Sequence, residues 1–295
     1  MARALRAVLD PGHLTVVVNV GDDSERYGVH VAADPDTVLY TLADVVGPFG
    51  WGRTGDTTNL MAELELLGVD TSFTLGDADY ALCLVRTLLM RDGATLTDVT
   101  AHLASSLGVT DVTVLPATND EVRTWIRNDQ GTWLAFQEYF VDRQHKDIVT
   151  ELAFHGSPAA EPSPGVIAAI DGADTVVIAP SNPALSIWPI LAIEAIDDAV
   201  RRHTNRVAVS PLFGGKALKG PADAVMRSLG LSPGTLGVME AYHGLIDRLF
   251  VDVGDADDEA LSGRMNMAVI AEDTRLTGPD AGARFAGLLL ESGIR

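Results

Sequence analysis

Thr175 to Leu191 reads TVVIAPSNPALSIWPIL, and the reading of this stretch decides the fold. Val176-Val177-Ile178 is a continuous β-branched run of the kind found in a parallel strand buried on both faces, so a strand is expected over Thr175–Ala179. Pro180-Ser181-Asn182-Pro183 then turns the chain. A helix is expected from near Ser186, which can cap it, with Pro189 tolerated in the first turn. In an open α/β sheet, ligands sit where loops leave the carboxyl ends of strands. Ser181 and Asn182 therefore occupy a candidate site, although an ordinary strand-to-helix turn gives the same pattern.

The alternation continues on both sides. Downstream, the pattern gives a helix over Ile187–Arg201, a strand over Arg206–Ser210 and a helix from Ala222 to Leu229. A helix at Thr235–Tyr242, strands at Leu249–Val253 and Met267–Ala271, and a last helix at Pro279–Ser292 follow. Upstream, Ala2–Leu9 has helical spacing and Leu14–Val20 (LTVVVNV) reads as a buried strand. A short strand at Gly28–Val31 precedes an apolar helix through Leu42. Helices are expected at Asn59–Leu67, Asp79–Met90 and Leu96–Leu107, and a strand at Val112–Leu115. Val122–Arg127 and Thr132–Val141 look like a hairpin turned at Asp129-Gln130-Gly131. The fold class is thus α/β: a Rossmann-like, mostly parallel sheet flanked by helices, with a small inserted antiparallel subdomain. One domain is expected over 1–295, its core at 1–110 and 165–295 and the insertion at 111–164.

Composition narrows the function. Lys+Arg 21 against Asp+Glu 41 gives a net charge of −20, which repels nucleic acid and anionic membrane. No run approaches the roughly 20 apolar residues of a spanning helix. A cytoplasmic protein is expected. The single cysteine, Cys83, excludes an internal disulfide. An anionic ligand would need a local positive pocket or a metal ion. Lys146, Lys216 and Lys219 are the only lysines. Two of them fall in Pro211–Pro221 (PLFGGKALKGP), where glycines let backbone N–H groups approach a phosphate and lysines supply charge. The loop lacks the spacing of a Walker motif. A flexible glycine loop with solvated lysines is the plainer alternative.

Carboxylates gather at the other strand ends. Asp22 and Asp23 follow the Leu14 strand, and Asp34 and Asp36 open the next helix. They are either hard oxygen ligands for Mg²⁺ or, with Thr37, helix caps. Gly47–Asp56 (GPFGWGRTGD) reads as a lid, an aromatic shelf or a plain connection. The histidines form no close metal-binding pair, and no nucleophile elbow is present.

Taken together, VVNVGDD (Val17–Asp23), ADPDTVLYTL (Ala33–Leu42), GWG (Gly50–Gly52), LGDAD (Leu75–Asp79), FQEYFV (Phe136–Val141), APSNPALSIWPIL (Ala179–Leu191) and SPLFGGKALKGPA (Ser210–Ala222) resemble the 2-phospho-L-lactate transferases of deazaflavin coenzyme F-420 biosynthesis. The joint occurrence is highly specific. The resemblance implies transfer of a phospholactyl or phosphoenolpyruvyl group from a guanosine diphosphate-linked donor to the deazaflavin Fo, with GMP released, Mg²⁺ as cofactor and a homodimer. It implies Asp34 and Asp36 as catalytic, and Asp22, Asp34 and Asp36 as metal ligands. Ligand contacts are implied for Asn19, Thr37, Ser181, Asn182, Pro183, Gly214, Gly215 and Lys216, with Arg86 a weaker one. On this basis Asp36→Ala is expected to abolish transfer and leave the fold intact.

The chain departs from the family pattern in places. Members carry a strand and a GGxGG-like phosphate loop before the stretch matching Ala2–Leu9, which is where this sequence starts. Ala78 stands where an Arg is usual, Cys83 where a His is usual, and Ala241-Tyr242-His243 where His-Tyr-Gly is usual. The second hypothesis is a non-catalytic or altered-ligand nucleotide or deazaflavin-binding protein on the same fold, like the gluconeogenesis factors.

Overall fold

The computed structural model describes residues 1–292. Its strands are β1 (Leu14–Val18), β2 (Ser24–Arg26), β3 (Val29–Val31), β4 (Val112–Pro116), β5 (Arg123–Asn128), β6 (Trp133–Ala135), β7 (Val149–His155), β8 (Val176–Ile178), β9 (Arg206–Val209), β10 (Leu212–Phe213), β11 (Lys216–Ala217), β12 (Arg248–Asp252) and β13 (Ala268–Glu272). Its helices are α1 (Ala2–Arg6), α2 (Ala33–Leu42), α3 (Asn59–Leu66), α4 (Asp77–Arg91), α5 (Leu96–Ser106), α6 (Val166–Asp171), α7 (Trp188–Leu191), α8 (Glu194–Arg202), α9 (Ala222–Ser228), α10 (Thr235–Ala241) and α11 (Pro279–Glu291).

The expected parallel sheet is present, in two pieces. One has the order β13-β12-β9-β8, and the other pairs β1 with β4. All of these pairings are parallel. The larger piece shows why its strands are continuously apolar. Ala208, Leu249 and Val251 face one core with Ile196, Ala199 and Val238. Val207, Val209 and Phe250 face the other with Phe285 and Leu289 of α11. Alternate side chains thus enter opposite cores, so the central positions of these strands are apolar and the charged residues Arg206, Arg248, Asp252 and Glu272 fall at strand ends. Phe250 and Phe285 meet edge to face with ring centroids 5.7 Å apart.

Between the two pieces lies a cavity of about 1210 Å³, walled by Leu14, Thr15, Val16 and Val17 of β1 and by Val176, Val177 and Ile178 of β8. The loop after β1 meets the helix that follows β8 at its far end. A Cβ on Gly21, three residues past β1, would lie 3.1 Å from Cβ of Pro189 in α7, the helix that follows β8.

The antiparallel insertion is the sheet β6-β5-β7. Its β5–β6 hairpin matches the expected one, whereas β7 is unannounced by any alternation. β4 pairs with β1 residue for residue, Val112 with Leu14 through Pro116 with Val18. The insertion therefore begins after β4 and not at 111. Phe136–Val141 leads into a π-type turn over Glu138–Asp142 instead of extending the hairpin.

The helix expected over Ile187–Arg201 is broken. A π-type turn covers Pro183–Ile187, α7 follows, and α8 begins at Glu194. The cap is Asn182 and not Ser186. Oδ1 of Asn182 accepts from the N–H groups of Ala184 at 3.0 Å and Leu185 at 3.3 Å. An Asn at the cap with Pro at the first helical position satisfies the free N–H groups at the start of the turn. Among the described residues, no helix is long and apolar enough to cross a membrane.

Candidate functional site

The end of β1 is organised by Asn19. Its Oδ1 accepts the Gly21 N–H at 2.7 Å, and its Nδ2 donates to Oδ2 of Asp34 at 3.0 Å. One side chain thus ties the loop after β1 to the first turn of α2, where the helix dipole favours an acid. The loop is tight: a Cβ on Gly21 would come within 2.5 Å of Thr124 Oγ1. Asp22 and Asp23 are both buried, each with an unpartnered Oδ1. The other oxygen of Asp23 meets Nε2 of His30 at 2.8 Å.

This crowding sets the protonation chemistry. Burial raises the Asp22 carboxyl well above the usual range, and the nearby charge of Asp34 raises it further. Burial pushes Asp34 up to about 6, against the hydrogen bond from Asn19. A carboxylate that titrates near neutrality is matched to taking up a proton in catalysis. The unpartnered oxygens of Asp22 and Asp23 are hard donors of the kind Mg²⁺ takes, so this group fits that ion.

Asp36 belongs to a second group. It forms an ion pair with Arg86 that is closed off from solvent. The same guanidinium donates to the His30 carbonyl at 3.1 Å and lies 3.7 Å from Cys83 Sγ. Burial pushes Asp36 up to about 6, opposed by Arg86, and pushes the Cys83 thiol up to about 12. Oxygens of Asp36 and Asp79 and the Cys83 sulfur all lie within 4.8 Å of one another. Tyr40 closes the group by donating to Asp79 Oδ1 at 2.7 Å. Arg86 spends its charge on Asp36, which leaves none for an outside anion. Ala78, the second residue of α4, donates its backbone N–H to Asp56 at 2.9 Å.

The remaining predicted residues lie at neighbouring strand ends. Thr37 and Ser181 both line the cavity between β1 and β8. Pro183 is buried, and Nδ2 of Asn182 is buried without a partner while Oδ1 serves as the cap. Gly214 and Gly215 form the turn of a two-stranded hairpin, β10 against β11, and Lys216 opens β11 opposite Phe213. Lys216 and Gly214 are exposed. Lys219 Nζ donates to the Phe49 carbonyl at 3.0 Å and so joins this loop to the Gly47–Gly52 loop. There Phe49 and Trp51 stack at 6.2 Å, both exposed.

Three residues at this edge carry no role in the sequence reading, in which Asp255 opens an acidic loop (Asp255–Glu259) expected to be solvated. His30 engages Asp23, and Asp255 accepts from the Gly214 N–H at 3.0 Å. Arg275 stacks over Phe213, with Cζ 5.6 Å from the ring centroid, beside the buried Asp252. The signal available for Asp255 and Arg275 was their position just past the carboxyl ends of β12 and β13.

Comparison with known proteins bears on this arrangement. Residues 1–280 match the family model for 2-phospho-L-lactate transferase CofD. The chain is 37% identical over 258 residues to the 2-phospho-L-lactate transferase of Methanothermobacter thermautotrophicus, covering 87% of this chain and 82% of that one. It is 31% identical over 289 residues to the Methanosarcina mazei enzyme of the same name, covering 98% and 94%. It is 36% identical over 280 residues to the phosphoenolpyruvate transferase of Thermobifida fusca, covering 92% and 86%. Among solved structures, a UPF0052 protein from Bacillus halodurans shares the fold with a TM-score of 0.61 at 16% identity, over 98% of this chain and 96% of that one.

Proposed function

Because the chain belongs to the 2-phospho-L-lactate transferase CofD family, we propose that it transfers a phospholactyl or phosphoenolpyruvyl group from a guanosine diphosphate-linked donor to the terminal ribityl hydroxyl of the deazaflavin Fo, in the making of coenzyme F-420. Movement of one of these two groups is the activity named for its relatives.

The observation that carries it is a group of buried carboxylates past the carboxyl end of β1 together with a Gly-Lys loop past the carboxyl end of β9. The Fo hydroxyl oxygen attacks the phosphorus that bears the lactyl or enolpyruvyl group. A P–O bond forms, the bond to GMP breaks, and GMP leaves. Asp34, pushed up to about 6, takes the hydroxyl proton. Lys216 and the Gly214–Gly215 turn neutralise and orient the diphosphate. Thr37 and Ser181 line the cavity beside it. Nδ2 of Asn182, buried and unpartnered, supplies a donor for an oxygen of the nucleotide part. Asp22 and Asp23 would hold Mg²⁺, which when bound neutralises phosphate charge. Asp36 acts by fixing the first turn of α2 through Arg86.

Titration of Fo, followed by its own fluorescence, tests the acceptor. Saturable binding in the micromolar range is expected with Mg²⁺ present. An unchanged signal up to millimolar protein would remove Fo from the reading.

A further inference from the structure

The Gly-Lys loop already holds an anion, and that anion is part of the chain. Gly214 and Gly215 both take left-handed backbone, with φ of 58° and 73°. Successive N–H groups in such a turn form a concavity that binds anions. Here the occupant is the Asp255 carboxylate. Its Oδ2 accepts from the Gly214 N–H at 3.0 Å, and the Gly215 N–H also favours its charged form. Asp255 is only 9% exposed, although Gly254, Ala256 and Asp257 around it are exposed. The backbone breaks from helical form at this one residue (φ −112°, ψ 21°). The segment is thus shaped to deliver a carboxylate into the turn.

The fit has a cost. Burial and the neighbouring carboxylates Asp258 and Asp252 all disfavour the charge that the amides attract. A phosphate group brings more charge and more acceptor oxygens to the same amides.

We propose that the Gly214–Gly215 turn is a phosphate site of the donor kept closed by Asp255, and that a nucleoside diphosphate displaces this carboxylate when it binds. The proposal rests on the reading of the Lys216 loop as the donor site. Asp255 acts as an internal stand-in for phosphate. It orders the empty loop and lowers the affinity for every anion by the work of its own displacement. Lys216, exposed beside the turn, gives the incoming diphosphate the charge that the carboxylate cannot use.

Calorimetric titration with GDP tests this on the wild type, Asp255→Ala, Asp255→Asn, Asp257→Ala and Lys216→Ala. Loss of a competing charge-assisted hydrogen bond predicts about tenfold tighter GDP binding for Asp255→Ala. A smaller gain is expected for Asp255→Asn, which keeps an acceptor and is the variant to read if Asp255→Ala fails to fold. Asp257→Ala removes the same charge from an exposed neighbour and is expected to stay within about twofold, since exposed charges are screened. Equal or weaker binding by both Asp255 variants overturns the proposal, as does an equal gain in Asp257→Ala. Unchanged GDP affinity in Lys216→Ala overturns the donor-loop reading on which it rests. Weakened binding in Lys216→Ala with no gain at Asp255 overturns the displacement alone.

Discussion

Arg86 and Asp36 form an ion pair inside the protein, guanidinium Nη2 against carboxylate Oδ1, with side-chain exposures of 1% and 5%. A pair this deep is costly to break from either side, because the partner left behind is an uncompensated buried charge. Asp36→Ala and Arg86→Ala are each expected to cost about 3–5 kcal/mol in chemical denaturation. The fold-neutral Asp36→Ala anticipated from the sequence is thereby replaced: loss of transfer in that variant would report lost structure. Stability of either variant within about 1 kcal/mol of wild type, where replacements away from special sites fall, would contradict this role.

Asp34 offers the cleaner test of chemistry. Its folded pKa of about 6 lies above the ordinary 3.8. The folded state therefore holds the extra proton between these values. This group's contribution to stability is greatest below about pH 4, falls as pH rises to about 6, and is level above that. Asp34→Asn is expected to melt higher than wild type at pH 7, by the equivalent of ~1–3 kcal/mol, and to match it near pH 4. Transfer by the variant is expected to be lost, while wild-type turnover rises through pH 6 as Asp34 loses its proton. A variant that melts lower at pH 7, or keeps its rate, would contradict the assignment.

Asn182 separates cap from ligand contact. Asn182→Ala removes the acceptor for Ala184 and Leu185 and is expected to cost roughly 1 kcal/mol. Asn182→Asp keeps the acceptor and replaces only Nδ2. It is expected to hold its melting temperature while its KM for the donor rises about tenfold, the scale of one lost hydrogen bond. Equal KM values for Asn182→Asp and wild type would limit Asn182 to capping.

How much of this was legible depended on whether the cause was local. β8, β9, β12 and β13 were readable because continuous apolar runs suit strands covered on both faces. The β5–β6 hairpin was readable from its Asp-Gln-Gly turn. The cap at Asn182 carried a local signal that went unused, since Asn followed by Pro marks a helix start as well as a turn. The split of the acidic residues was not local. Asp22 and Asp34 share Asn19, whereas Asp36 turns inward to Arg86 on a helix far along the chain. Only the packing of α2 on α4 decides between those fates. The same holds for β7, whose partner β5 gives it a place that its own alternation does not, and for Asp255, which reaches Gly214 from another strand end.

The most direct measurement of the transfer is release of GMP from guanosine-diphospholactate and from its enolpyruvyl counterpart, with Fo and Mg²⁺ present. GMP is expected one for one with an Fo phosphodiester, dependent on Fo and absent in Asp34→Asn. No GMP from either donor, while Fo still binds, would contradict the proposed transfer.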